Sequence, residues 1–181
     1  MSTFTERMIG AARLDAAIYE EVEHDPDAIG QAVGVVVLSS LAAGIGSMLY
    51  TGVLQGLVLG TVAALVGWVI WAFLTWIIGT RLLPEEGTEA DMGQLLRTIG
   101  FSAAPGILRV FGLIPLIGGP IMLICNIWML VTMVIGVRQA LDYTSTWRAA
   151  GVCVIGWIAL VIVQMLAFTL LGTPGPGPAT P

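Results

Sequence analysis

Two arginines are the residues of this chain best placed to do chemistry inside a membrane. Arg97 and Arg109 lie at either end of an otherwise apolar stretch, within Gln94 to Phe111. An ionisable side chain at membrane depth is costly, and is therefore a functional candidate by default. A guanidinium fork matches phosphate oxygens, so the contact to expect at Arg97 and Arg109 is a lipid headgroup or another anion. The competing reading is anchoring. Each side chain then snorkels to a bilayer edge and donates to carbonyls freed where Pro105 breaks the helix.

Other catalytic chemistry is poorly supplied. No Asp or Glu occurs between Asp27 and Glu85, or between Asp91 and Asp142. Proton relays and cation sites draw on such residues, so proton-coupled and metal transport are not expected. Ser39, Ser40, Ser47 and Ser102 have no histidine, lysine or carboxylate at their depth to activate them. They read as helix-packing or backbone-capping groups, and no catalytic residue is assigned. Cys125 and Cys153 sit in apolar runs and read as small buried hydrophobes. The only histidine, His24, lies in the acidic run Glu20, Glu21, Glu23, Asp25, Asp27. That run lacks the ligand order of a calcium loop and reads as solvated helix-start charge. No metal and no cofactor is expected.

Composition places these residues in a bilayer. Of 181 residues, 57% are hydrophobic and 10% charged, against about 25% charged in a soluble domain. Mean hydropathy is +0.93. The chain is read as an all-α integral membrane protein. Every basic residue is an arginine, and the net charge is −5. No basic stripe exists to neutralise phosphates, which argues against nucleic acid. The acidic start lacks the basic opening of a signal peptide.

Hydropathy divides the chain into an N-terminal region, a membrane domain and a tail. Over residues 1–27, Leu14, Ile18 and Val22 repeat every four residues and predict one short amphipathic helix. Residues 28–171 form the membrane domain. Its apolar runs predict spans at 28–50, 52–79, 94–111, 121–137 and 149–171, since about 20 residues cross a hydrocarbon core. The tail, 172–181, is rich in proline and glycine and is expected to be disordered. The second span opens with Gly52, Gly56, Gly60 and then Ala64, a small-residue face that lets helices approach closely. The third span is the weakest. Its arginines are about 18 Å apart along a helix, which allows one charge at each bilayer edge. Asn126, Gln55 and Gln164 are expected to make interhelical hydrogen bonds. The tryptophans read as packing and interface anchors.

Arginine placement sets the topology. With five spans and a cytoplasmic N-terminus, Arg7, Arg13, Arg81, Arg97, Arg138 and Arg148 all fall inside. Only Arg109 lies near the outside. The positive-inside rule therefore favours a five-helix bundle with the N-terminus in and the C-terminus out.

Three runs carry a family resemblance. GT-x6-LLRTIGFSAAP (Gly87 to Pro105) resembles the core signature of the Yip family, the Ypt/Rab-interacting membrane proteins, in its prokaryotic branch. IWMLVTMVIGVRQALDYTSTWRA (Ile127 to Ala149) is similar to that family's fourth span and following loop. YEEVEHDPDAIGQAVGVVVLSSLAAGIG (Tyr19 to Gly46) resembles bacterial members. The resemblance runs from Tyr19 to Leu171. It implies five helices, a cytoplasmic N-terminus and no established enzyme activity. In eukaryotic members it implies vesicle trafficking and contacts to prenylated Rab GTPases through a long N-terminal region. This chain has about 27 residues there, which argues against a Rab-type GTPase partner.

The function expected is a non-catalytic scaffold, adaptor or accessory subunit, in membrane organisation or trafficking. Its expected partners are membrane lipids and a membrane protein or a second copy, in a bacterial or archaeal cytoplasmic membrane. The alternative is a small transporter or lipid-binding protein with a site near Arg97, Pro105 and Arg109.

Overall fold

The computed structural model describes residues 2–51 and 55–171, without the side chains at 49–51, 55, 56, 164, 167, 168, 170 and 171. The described residues are helical, with no strand among them. Gly52 and the tail at 172–181 lie outside them.

The N-terminal region holds two helices where the periodicity predicts one. Thr3 starts α1 (Phe4–Ala12) with a capping box, exchanging hydrogen bonds with Glu6. Leu14 then turns through a left-handed conformation, with φ of 65°. Asp15 caps the restart as α2 (Ala16–His24), accepting from the Ala17 amide at 3.0 Å. At this turn Leu14 is 39% exposed, Ile18 is half-buried and Val22 is buried. Buried Arg7 ties them together through Glu21 at 2.8 Å and Asp25 at 2.7 Å.

Four helices are long and apolar enough to cross a membrane: Ala28–Met48, Leu57–Leu82, Gly118–Ala140 and Thr146–Val163. They lie in α3 (Ala28–Thr51), α4 (Gln55–Ile77, prolonged by a π-helical turn Ile78–Leu82), α6 (Gly118–Ala140) and α7 (Thr146–Leu171). Tyr143 closes the π turn, donating to the carbonyls of Gly79 and Leu83 at 3.0 and 2.7 Å.

The segment expected as one helix over 94–111 is composite. A capping box between Asp91 and Gln94 starts α5 (Met92–Ser102), and a 3-10 segment, Ala104–Leu113, follows. Pro105 stands in its first turn, where its missing N–H costs least. The carbonyls left at the break find partners on α6. Thr132 donates to the Ser102 carbonyl at 2.7 Å, and Ser102 donates back to the Thr132 carbonyl at 3.1 Å.

This composite segment packs lengthwise on α3. Gly100 lies against Ala32, and Gly46 lies against the backbone of Arg109 and Gly112. A Cβ on Gly46 would collide with the Arg109 carbonyl. The segment therefore follows α3 from Ala32 to Gly46, a distance of about 21 Å at 1.5 Å per residue. The end of the bundle at Ala28, where α1 and α2 dock, is the near end. α4 packs on α3 and α5 but scarcely touches α6. The space between α4 and α6 positions the site.

Candidate functional site

The two arginines lie in different places. Arg97, on α5, is buried and serves α2. Its Nε donates to the Val22 carbonyl at 2.9 Å, and its Nη2 donates to the Glu23 carbonyl. These carbonyls end α2, where helix carbonyls lack partners and the helix dipole is negative. Arg97 thus clamps the N-terminal hairpin onto the bundle. Beside it, Glu23 is also buried. One carboxylate oxygen accepts from Gln94 Nε2 at 3.0 Å, while Oε2 is buried without a partner. Burial, with Asp142 and Glu20 nearby, pushes the Glu23 carboxyl up to about 7.

Arg109 behaves differently. Its backbone lies level with Gly46, towards the far end, yet its side chain reaches to Ser39. Nη2 donates to the Ser39 carbonyl at 3.1 Å and to Ser39 Oγ at 2.8 Å. Nε donates to the Gly106 carbonyl at 3.1 Å. Ser39 is seven residues nearer the start of α3 than Gly46, about 10 Å along the axis. The side chain therefore turns inward rather than outward to the nearest surface. That departs from the expectation of one arginine at each bilayer edge. The reason is local: Gly46 draws the Arg109 backbone against α3, and Ser39 and Gly106 present acceptors on the inner side.

The Arg109 guanidinium walls a cavity of about 360 Å³ between α3, α4, α5 and α6, lined mostly by apolar groups. That volume is in the range of small-ligand sites, roughly 300–1,000 Å³. Ala64 and Gly67 form its α4 wall, with Trp68 and Trp71, and Asn126 and Met129 belong to its α6 wall. Around Gly60 a Cβ would meet nothing within 4 Å. Within this chain, the small residues of the α4 stripe therefore leave space rather than fill it. Gly56 lies in α4, and its surroundings are not described.

Three polar groups around this cavity have capacity to spare. Arg109 Nη1 has no hydrogen-bond partner and no ion pair among the described residues. Trp71 Nε1 is buried without a partner. Asn126, expected to bond between helices, lines the cavity, is exposed, and makes no hydrogen bond among the described residues. The side chains of Gln55 and Gln164 lie outside the described ones. Three other indoles are employed. Trp68, Trp76 and Trp128 donate to the carbonyls of Leu96, Ala90 and Ala12 at 3.1, 2.9 and 2.7 Å. Sequence reasoning singled out Arg109 but missed its neighbours, since nothing in their spacing shows which polar groups stay unpaired. Among the described residues, no group of three or more His, Cys, Asp or Glu is placed to hold a metal ion.

Helices of this length and hydropathy, enclosing an apolar cavity, define a multi-pass α-helical integral membrane protein. Its helices contact lipid. The Yip1 domain model matches residues 15–168, and the chain belongs to that family. Proteins of this family are not known as enzymes. No curated protein and no solved structure matches the chain.

Proposed function

We propose that this chain is a non-catalytic protein of a bacterial or archaeal cytoplasmic membrane that holds a lipid in the cavity between α4 and α6. Five passes with a cytoplasmic N-terminus are part of this reading, the composite of α5 and the 3-10 segment being the third. One observation carries it. Arg109 turns inward to an apolar cavity and keeps an unsatisfied donor there. A snorkelling anchor would do the reverse. Arg97, engaged with α2, is read as a clamp and not as a lipid contact.

Native mass spectrometry of protein purified in mild detergent tests the reading. A lipid should remain bound to the native chain and be lost when Ala64→Phe fills the cavity. An unchanged lipid load in Ala64→Phe would sink the proposal.

A second reading, scaffold, adaptor or accessory subunit, has support from α4. Only 6% of its apolar window is buried in the chain, against 22–33% for the other three. Gly60, on the open side, suits close approach of another helix. Cysteine cross-linking from Gly60 in native membranes distinguishes this reading: a discrete adduct with a second chain supports it, and its absence counts against it. A Rab-type GTPase partner is not part of either reading.

A further inference from the structure

The cavity carries more than a volume, because two of its polar groups, Arg109 and Asn126, sit at one depth. Ser40 donates to Thr61 at 3.2 Å, which sets α3 and α4 in register. Trp68 lies seven residues beyond Thr61 towards the near end, about 10 Å. Trp71 lies one turn further. Indoles favour the bilayer interface, so Trp68 and Trp71 mark the near mouth of the cavity. The Arg109 guanidinium, held by Ser39, lies about 10 Å beneath that mouth.

Asn126 shares this level. Gly118, at the start of α6, packs on Gly112, which packs on Gly46. Eight residues along α6 from Gly118 bring Asn126 back towards the near end by about 12 Å. That is close to the level of Ser39. A cationic donor without a counter-charge and an amide without a partner thus flank one space. Beyond them, one turn from the cavity-lining Ala64, α4 leaves open room at the exposed Gly60.

We propose that this depth recognises the compact anionic head of a lipid, a carboxylate or phosphomonoester, from the leaflet at the near end. This rests on the lipid-binding reading of the same cavity. Arg109 Nη1 donates to the anion, and the Asn126 amide donates beside it. The acyl chain runs along the α4–α6 gap past Gly60. The charge argument fixes the class. A guanidinium in hydrocarbon, even half-buried as at Arg109, is costly, and an anion that completes its hydrogen bonds offsets that cost. A bulky zwitterionic head brings its own cation to a wall that already holds one.

The test uses a long-chain fatty acid with a photoactivatable group on its tail, and the chain-matched fatty alcohol. Each is added to the purified full-length protein in detergent, and labelled peptides are mapped. The acid should label α4 and α6 peptides facing the gap. Arg109→Gln should weaken its apparent affinity about tenfold, as expected for one charge-assisted hydrogen bond, and leave alcohol labelling unchanged. Equal labelling by acid and alcohol, indifferent to Arg109→Gln, overturns the anionic-head assignment and leaves the lipid cavity standing. Labelling of the gap by neither probe overturns both. Displacement of the acid by inorganic phosphate, but not by unlabelled fatty acid, assigns the site to a free anion and overturns the lipid. If Arg109→Gln fails to purify as a monodisperse protein, Asn126→Leu reads the same head contact. Acid labelling unchanged in Asn126→Leu then counts against the site.

Discussion

Arg97 and Arg109 show how one residue type acquires two roles from its acceptors. Arg97 meets the last carbonyls of α2, and Arg109 meets Ser39 and a cavity. Removing Arg97 leaves buried carbonyls without donors. Arg97→Ala should therefore cost about 1.5–3 kcal/mol, the range for hydrogen bonds to a charged group. Faster tryptic cleavage after Arg13 and a lower melting temperature would register the loss. Glu23 adds a pH dependence to the same docking surface. Its folded-state value of about 7 lies above the ordinary 4.5. The docked hairpin thus favours the protonated acid. The stabilisation is complete below the ordinary value and is lost as pH rises through about 7. Glu20, Glu89, Asp91 and Asp142 surround it with like charge, and His24 and Arg97 oppose them. Thermal melts between pH 5 and 8 should show stability falling with pH. Glu23→Gln should flatten that dependence. A slope unchanged in Glu23→Gln would assign the effect to another group.

At the scale of elements, the decisive feature is the break after Ser102. Beyond it the chain continues as a 3-10 segment that lies close on α3 and carries Arg109 to Ser39, and Thr132 on α6 absorbs the carbonyl that the break releases. Close approach of this segment to α3 depends on Gly46. Gly46→Ala drives a Cβ into backbone, which cannot rotate aside as a side chain can. The expected cost is about 1–3 kcal/mol, as for overpacking. Unfolding in graded denaturing detergent should detect it. Gly60→Ala, with open space around it, should leave stability unchanged in the same assay.

For the whole molecule, charge and packing favour the proposed orientation. The near end gathers the acidic hairpin, the loop before α5, Arg138 in the last turn of α6 and Arg148 in the first turn of α7. Arg148 pairs with Glu85 at 3.3 Å and reaches the Pro84 carbonyl at 2.7 Å, joining two loops there. The positive-inside rule favours this as the cytoplasmic end under the proposed topology. A reporter fused after α7 should be active only outside, and one fused to the N-terminus only inside. A C-terminal fusion active in the cytoplasm would remove one pass from the proposed five.

Much of this architecture was legible in the chain. Long apolar runs can only be membrane helices in a protein this poor in charge, because backbone polar groups must bond internally in lipid. The composition therefore determined the class, and the three runs between Tyr19 and Ala149 carried the family. The N-terminal turn escaped notice because the four-residue repeat in the sequence runs straight through Leu14, which the structure leaves 39% exposed at the turn. The site was half visible. Arg109 and Pro105 stood out as costly residues in an apolar segment. That Arg109 points inward, and that Trp71 and Asn126 stay unpaired, depends on which helices fail to meet. The gap between α4 and α6 is a property of packing, and no spacing along one chain segment records it. The sequence by itself determined a helical membrane protein with a charged residue awkwardly placed. Only the tertiary structure decided that the charge faces a cavity, because direction and vacancy are set by neighbours distant in sequence.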